Sequence, residues 1–281
     1  MKVDLHTHTH FSDGSISPKD LVNLALARGI KVLAITDHDG MTAVPEAIDY
    51  AKDKDIEIIP GIECSTTDKV SGNSLHIVGL YVDYNHEGLK KICSDILARK
   101  RIGFLKVIDY INEVLNLDIK AETIMKRSEG QATFVHIAME LVDMGVFDSI
   151  SEAISSFQKG GEFYIKRKTE LFLDAREVIK VIHEAGGVAI LAHLSKYKNH
   201  NKFITQEEQE VLVKRLKSYG LDGIEVYISD CAKEDTLFVK SLAEKYNLKV
   251  SGGSDFHCED KKPYAPLGGL DITKKELTIL R

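Results

Sequence analysis

Short apolar runs rich in β-branched residues alternate along most of this chain with segments whose apolar residues recur every three or four positions. The first pattern is typical of buried strands and the second of amphipathic helices. Near the start, the patterns predict strands at 2–6, 31–36, 57–60 and 75–82, with helices at 18–28 and 44–53. Near the end, predicted helices at 174–184, 206–219 and 234–246 precede strands at 188–191, 223–227 and 249–251. This alternation predicts an α/β fold with a largely parallel sheet.

The middle of the chain has a different pattern. From 87 to 168 the apolar residues keep helical spacing and no convincing strand interrupts them. We therefore predict a main domain formed by 1–86 and 169–281, with 87–168 as an inserted helical subdomain that covers the site. The alternative is that these helices belong to an ordinary barrel wall, because no linker-like composition marks either boundary.

The length, composition and net charge of the chain limit its size class, its binding partners and its location. The chain has 281 residues, of which 43% are hydrophobic, which is enough for one large domain or a domain with an insertion. The net charge of -6 argues against binding of long nucleic acid and favours small anionic substrates. No apolar run is long enough to cross a bilayer or to form a secretory leader, so we expect a cytoplasmic protein without a membrane partner. The sequence makes no prediction of oligomeric state.

The spacing of the cysteines and the neighbours of two aspartates indicate what these residues do. The four cysteines are widely separated and lack metal or redox spacing, so we expect reduced thiols, with Cys64 and Cys258 buried. Asp37 and Asp39 are either turn-forming residues or carboxylates that orient a neighbouring histidine.

Two histidines separated by one residue, His6 and His8, follow the first predicted strand. Side chains two positions apart in a strand share a face, so these imidazoles would lie close together and could bind one metal ion. A tag or a solvated polar stretch is the alternative.

Other residues of metal-ligand type lie on or just after the remaining predicted strands. A lone histidine is better explained by the core or the surface. The carboxyl ends of parallel barrel strands, however, meet at one end of the barrel, where residues distant in sequence can surround one centre. The complete set is His6, His8, Asp13, His38, Glu63, His76, His193, Asp255 and His257.

The order of these motifs resembles the PHP (polymerase and histidinol phosphatase) family over essentially the whole chain. The chain is most similar to the stand-alone phosphoesterases with a helical insertion, including nucleoside 3',5'-bisphosphate phosphatases and 5'-to-3' exoribonucleases. The resemblance implies a distorted seven-stranded (β/α) barrel of the PHP type. The motifs that carry it are Asp4-Leu5-His6-Thr7-His8, Thr36-Asp37-His38, Gly61-Ile62-Glu63, Leu75-His76, Val135-His136-Ile137-Ala138, Leu191-Ala192-His193 and Gly253-Ser254-Asp255-Phe256-His257.

The resemblance also implies a role for each of these residues. One metal would be held by His6, His8, Glu63 and Asp255, a second by Asp13, His38 and His257, and a third by Glu63, His76 and His136. The cofactors would be two or three divalent ions. Because Asp13 stands where several relatives have histidine, manganese is favoured, with iron, zinc or magnesium as alternatives. His193 would contact phosphate, bind metal or protonate the leaving group, and with Asp255 it is a catalytic candidate.

These ligands favour phosphoryl chemistry. Two divalent ions about 3.5 to 4 Å apart activate a bridging hydroxide and neutralise phosphoryl charge. We therefore predict a metal-dependent phosphoric ester hydrolase acting on small nucleotides or short 5'-phosphorylated oligonucleotides. The alternatives are a histidinol-phosphate-type phosphatase, an amide hydrolase, and a noncatalytic metal-stabilised module.

The sequence identifies the residues that contact the substrate less clearly than it identifies the metal ligands. Many relatives read Arg-Pro-His-x-Ala-Arg where this chain has Phe134 and Met139 at the arginine positions, so a bisphosphate clamp is in doubt. Phe134 is a candidate for stacking on a base, although packing within a helix is the alternative. The basic cluster Lys166, Arg167 and Lys168 is either a solvated surface or a phosphate contact, with Arg167 the first candidate and Lys166 beside it.

Overall fold

The computed structural model describes residues 1–127, 134–157, 161–163, 172–200, 203, 205–258, 265–270 and 272–281. The chain divides into two compact units. The first unit is Met1–Ser94 with Leu173–Arg281, and the second is Asp95–Phe172. The predicted insertion boundaries at 87 and 168, and the role of that segment as a cover, stay predictions.

The first unit is built on a mostly parallel sheet of eight strands among the described residues. The strand order is β1-β2-β3-β4-β6-β7-β8, and β5 pairs with β3. β4 is antiparallel to both of its neighbours, β3 and β6. The strands are β1 Lys2–Asp4, β2 Ile30–Ile35, β3 Glu57–Asp68, β4 Asn73–Leu80, β5 Leu173–Asp174, β6 Val188–Leu191, β7 Gly223–Ile228 and β8 Lys249–Gly253.

Helices connect most of these strands, and their ends follow from local sequence. Ser17 caps the first helix by accepting a hydrogen bond from the Asp20 N–H at 3.1 Å, and Pro18 occupies the first turn. Thr205 and Glu208 form a capping box at the eighth helix. The α-helices of the described chain are α1 Pro18–Ala27, α2 Ala43–Ala51, α3 Glu87–Leu115, α4 Ala121–Arg127, α5 Phe134–Asp143, α6 Ile150–Ser156, α7 Ala175–Glu184, α8 Gln206–Ser218 and α9 Lys233–Lys245, and a 3-10 helix covers Leu194–His200.

An apolar core lies against one face of the sheet in the first unit. Alternate strand residues such as Ile59 in β3 and Val78 in β4 belong to it. Glu63 and His76 lie on the same strands an even number of positions away, so they extend the core-facing side toward one edge of the sheet. The buried members of this core are Val3, Leu5, Val32, Ala34, Ile59, Val78, Leu80, Val188, Ile190, Ala192, Ile272, Leu277 and Ile279.

The strand pairings do not establish the predicted seven-stranded barrel. β1 and β8 are the two ends of the strand order, and among the described residues no regular ladder joins them. The segments that follow them do meet, because the Asp255 N–H donates to the His6 carbonyl at 2.9 Å and the His8 N–H donates to the Phe256 carbonyl at 2.9 Å. The predicted α/β fold with a mostly parallel sheet is confirmed, whereas closure is not.

Two strands, β3 and β4, place candidate ligands differently from the carboxyl-end pattern of the other strands. β3 continues to Asp68 instead of ending near 60, so Glu63 lies within a strand. His76 lies near the beginning of β4, as it does in the predicted strand 75–82, so it is an exception to the placement of ligand-type residues at the carboxyl ends of strands. Because β4 is antiparallel, its beginning nevertheless reaches the edge at which β3 carries Glu63, and His76 pairs with Ser65.

The second unit contains most of α3, together with α4, α5 and α6. Its helices enclose a separate apolar core. The buried members are Phe104, Val107, Ile108, Ile111, Ile119, Ile124, Ile137, Leu141 and Phe163. None of the helices in the described part of the chain combines the length and apolar character needed to span a membrane.

Candidate metal centre

The segment after β1 is fixed beside β2 by a buried carboxylate. Asp37 accepts hydrogen bonds from the Thr9 N–H, the Thr9 hydroxyl and the Ser12 hydroxyl, each at 2.7 Å. These contacts hold the turn that follows His6 and His8. Asp39 has the corresponding role for β3, since it accepts from the Ser65 N–H at 2.6 Å and the Ser65 hydroxyl at 3.0 Å.

The first group of ligand-type atoms comes from His6, His8, Glu63 and Asp255. The Nε2 atoms of His6 and His8 lie 3.2 and 3.3 Å from Glu63 Oε2. The same two nitrogens lie 3.6 and 3.3 Å from Asp255 Oδ1. These four side chains therefore bring one ligand-type atom each to within 4.8 Å of one another, in the combination that the resemblance implies for one metal position.

The second group lies on the other side of His8. His257 Nε2 is 3.3 Å from Asp13 Oδ1, and His38 Nε2 is 3.7 Å from Asp13 Oδ2. His8 Nδ1 is 3.7 Å from Asp13 Oδ1, and the His8 ring stacks on His257 at 4.2 Å between centroids. The structure thus brings together the three residues of the second predicted set and adds His8 to them.

Glu63 lies between several histidines. Its Oε2 atom is 3.1 Å from His38 Nδ1, in addition to its contacts with the first group. Its Oε1 atom is 2.9 Å from His76 Nδ1 and 2.9 Å from His193 Nε2, and these two nitrogens are 3.2 Å apart. The two oxygens of one fully buried carboxylate therefore face different sets of imidazoles.

The pKa values of the cluster reflect burial and close charges. Burial opposes ionisation of Glu63, but the surrounding histidines outweigh it and hold the pKa of Glu63 well below its usual range. Burial lowers the pKa of His38 to about 4. Burial acts downward on His257 as well, yet its contacts with Asp13 raise the pKa of His257 to about 9. The Glu63 carboxylate is therefore ionised at neutral pH, which is the form that binds a cation.

Several buried atoms in the cluster have no hydrogen-bond partner among the described residues. They are His6 Nε2, both ring nitrogens of His8, and Glu63 Oε2. Buried polar atoms in folded proteins are almost always hydrogen-bonded, so each of these atoms needs an explanation. Imidazole nitrogens and carboxylate oxygens at these separations are the donor set of a divalent metal site. The residues present therefore fit a bound metal.

Two residues near the cluster were not predicted from the sequence. Glu225 is buried within β7 and contacts His6 Nδ1 at 2.7 Å. Lys196, on the 3-10 helix, donates to Asp255 Oδ2 at 2.9 Å. A charged residue inside the apolar run Gly223–Ile228 is the signal that could have identified Glu225. Lys196 carries no such signal, because lysine in a connecting segment is common.

The remaining predicted residues belong to other parts of the chain. His136 is partly buried on α5 in the second unit. Phe134 packs there against Phe157, with ring centroids 5.7 Å apart. Lys166, Arg167 and Lys168 lie outside the described residues.

The cysteine predictions are partly wrong. Cys64 is buried as predicted, but Cys258 is partly exposed. It follows His257 beyond the end of β8, where the alternation of a strand no longer places it in the core.

A mostly parallel α/β fold with clustered histidines and carboxylates at one edge of its sheet is typical of metal-dependent hydrolases. The PHP domain matches residues 4–230 of this chain. The chain belongs to the PHP domain family.

Three known proteins are similar to this chain over most of its length. The 5'-3' exoribonuclease of Haemophilus influenzae is 32% identical over 259 residues, which cover 91% of this chain and 90% of that protein. The phosphoribosyl 1,2-cyclic phosphate 1,2-diphosphodiesterase of Eggerthella lenta is 28% identical over 90% of this chain and 93% of that protein. The 3',5'-nucleoside bisphosphate phosphatase of Chromobacterium violaceum is 27% identical over 98% of this chain and 91% of that protein.

A solved structure supports the same class. A protein of Bifidobacterium adolescentis described as a metal-dependent phosphoesterase superposes with a TM-score of 0.79 and 25% identity, over 98% of this chain and 91% of that protein. Together these comparisons confirm the predicted family and the predicted enzyme class, a metal-dependent phosphoric ester hydrolase. They argue against the noncatalytic alternative.

Proposed function

We propose that this chain hydrolyses phosphate esters of small nucleotides, such as a nucleoside 3',5'-bisphosphate, or of short 5'-phosphorylated oligonucleotides. The observation that carries the proposal is the convergence of buried histidine and carboxylate atoms on both sides of His8, several of them without hydrogen-bond partners among the described residues. The named activities of the relatives, which act on nucleotides, RNA or a sugar phosphate, support this substrate class.

We assign the metal ligands as two sets. His6, His8, Glu63 and Asp255 would hold one divalent ion, and Asp13, His38 and His257 would hold a second. Glu63 Oε1 and His76 Nδ1 offer part of a third position. His136 as its further ligand stays a prediction from the resemblance. The carboxylates of Asp13, Glu63 and Asp255 favour manganese over zinc.

The bound ions would lower the pKa of a water molecule and offset the negative charge of the phosphoryl oxygens. The protein must then orient the ester and supply a proton to the leaving oxygen. His193 is suited to the second role, because its Nε2 atom lies beside Glu63 and its side chain is 12% exposed, so it can reach a bound ester.

Lys196 is suited to orienting the substrate. Its ammonium group pairs with Asp255 and its side chain is 24% exposed, so it brings a positive charge to the accessible side of the first ligand group. A phosphate ester that approaches Asp255 can accept a hydrogen bond from this group. Phe134, Lys166 and Arg167 stay predicted substrate contacts.

We also infer that the sheet of the first unit is a distorted, incompletely closed barrel. The backbone hydrogen bonds between the segments after β1 and β8 support this interpretation, since they join the two ends of the strand order. This arrangement accounts for the proximity of His6 and Asp255.

The proposal is tested by measuring phosphate release from adenosine 3',5'-bisphosphate, a short 5'-phosphorylated RNA and histidinol phosphate. Each substrate is incubated with manganese-loaded protein and with chelator-treated protein. We expect metal-dependent release from the bisphosphate or the RNA. Preference for histidinol phosphate would assign the narrower alternative, and no release from any substrate by manganese-loaded protein would contradict the proposal.

A further inference from the structure

Glu225 joins two parts of the site that are distant in sequence. Its carboxylate is buried, and its Oε1 atom lies 2.7 Å from Nδ1 of His6. Its Oε2 atom accepts a hydrogen bond from the backbone N–H of His193 at 2.8 Å. Each oxygen therefore has its own partner.

The contact with His6 determines which nitrogen of that ring faces the metal position. A neutral imidazole carries a proton on one nitrogen only, and a carboxylate accepts hydrogen bonds without donating any. When Nδ1–H donates to Glu225, Nε2 keeps its lone pair. This nitrogen is the one that lies 3.2 Å from Glu63 Oε2 and 3.6 Å from Asp255 Oδ1. A carboxylate behind a histidine ligand orients the ring and increases its basicity.

The contact with His193 fixes a turn of unusual conformation. The φ angle of His193 is 31°, in a region that residues other than glycine rarely adopt. His193, whose N–H donates to Glu225, lies two positions after the end of β6. It is therefore close to the point where Leu191 of β6 pairs with Ile224 of β7. In this conformation the imidazole of His193 is directed at Glu63 Oε1 and His76 Nδ1.

We propose that Glu225 is a positioning residue that sets His6 for metal binding through Nε2 and fixes the backbone of His193 in the same site. The inference rests on the proposed function, because it assumes that His6 binds a metal. It assigns to Glu225 a role that does not require contact with the substrate.

An isosteric substitution separates this role from packing. In Glu225→Gln, the amide oxygen can still accept from the His193 N–H, but the amide NH2 then faces His6 Nδ1. His6 would accept at Nδ1 and carry its proton on Nε2, where it could no longer bind a metal. The matched control is Asp68→Asn. Asp68 is another buried carboxylate of the first unit, but it accepts from Arg215 at 2.7 Å and the Ser71 N–H at 3.0 Å, not from histidine.

The experiment measures Mn²⁺ binding to metal-free protein from the electron paramagnetic resonance signal of the free ion. We expect Glu225→Gln to weaken the tightest site by about 10- to 100-fold, with Asp68→Asn unchanged. A higher Mn²⁺ concentration should restore kcat in Glu225→Gln without changing KM. If Glu225 made only a structural contact, added Mn²⁺ would not restore kcat. Wild-type affinity in folded Glu225→Gln would overturn the inference alone. Failure of the wild-type protein to bind Mn²⁺ would overturn the proposed function and the inference with it.

A second measurement does not depend on the variant folding. Long-range ¹H–¹⁵N spectra of the zinc-loaded wild-type protein report which nitrogen of each imidazole carries a proton. We expect His6 to be protonated at Nδ1 and bound through Nε2. The reverse pattern would overturn the inference.

Discussion

The two units of this protein each have a buried core, but among the described residues only the first unit has charged residues that are buried as a whole. In the first unit, the sheet carries an apolar core and, at one edge, fully buried His6, His8 and Glu63. In the second unit, the described buried side chains are apolar except for that of Ser156. Burial of a charge is costly unless it is paired or binds a metal. The comparison indicates that packing of apolar side chains accounts for the described core of the second unit, whereas the first unit also buries the charged groups of the candidate metal centre.

The substitution with the largest expected effect removes the carboxylate of Glu63, which contacts several histidines of the first unit. We expect Glu63→Gln to lower kcat/KM by more than about 100-fold, the upper end of the loss for residues that only support a metal ligand. The amide keeps the shape but loses the charge that a cation requires. Steady-state phosphate release at saturating Mn²⁺ measures the effect.

Glu57→Gln is the control for this substitution. Glu57 is an exposed residue at the beginning of the same strand, β3, and should retain full activity. Activity of Glu63→Gln close to that of the control would contradict the assignment of Glu63 as a metal ligand.

The second unit should respond in the opposite way. Ile111 is fully buried in its core, so Ile111→Ala should cost about 2 to 5 kcal/mol of stability through lost packing and the cavity left behind. The Mn²⁺ affinity of the tight sites should not change, because the assigned ligands of those sites belong to the first unit. Urea unfolding and Mn²⁺ titration of the same preparation separate the two effects, and weaker Mn²⁺ binding would show that the units are coupled.

Metal removal should change stability by an amount in the lower part of the range expected for Ile111→Ala. A ligand present at about 100 times its dissociation constant stabilises the folded state by about 2.7 kcal/mol. For a chain of this size, chelation should therefore lower the Tm by roughly 5 °C. Differential scanning calorimetry measures this shift. Glu63→Gln should show little of it, and an equal shift in that variant would place the stabilising metal elsewhere.

Much of the first unit could be predicted from local patterns. Strand β6 at Val188–Leu191 was predicted with the observed bounds, and α8 was predicted within one residue. Such segments have strong periodicity and clear caps, so their structure depends mainly on nearby residues. The histidines at the strand ends could be found for the same reason.

Features that depend on distant partners could not be predicted. The direction of β4 depends on which strands it pairs with. The two-residue strand β5, which pairs with β3, is too short to leave a pattern. Glu225 was missed because its role appears only when β7 lies beside His6 and His193. Periodicity reports which side chains are buried, but not which of them meet across the sheet.

The junction between the segments after β1 and β8 also bears on when the enzyme becomes active. Asp4 accepts a hydrogen bond from the Ser254 N–H across 250 positions of sequence, and the first ligand group combines His6 with Asp255. Contacts between such distant residues form late, because the intervening chain must first be ordered. A growing polypeptide on the ribosome therefore contains His6, His8 and Glu63 long before Asp255, the fourth residue of the first ligand group, has been synthesised. Completion of the candidate metal centre is thereby coupled to synthesis of the segment that follows β8, because the first ligand group lacks Asp255 in any shorter chain.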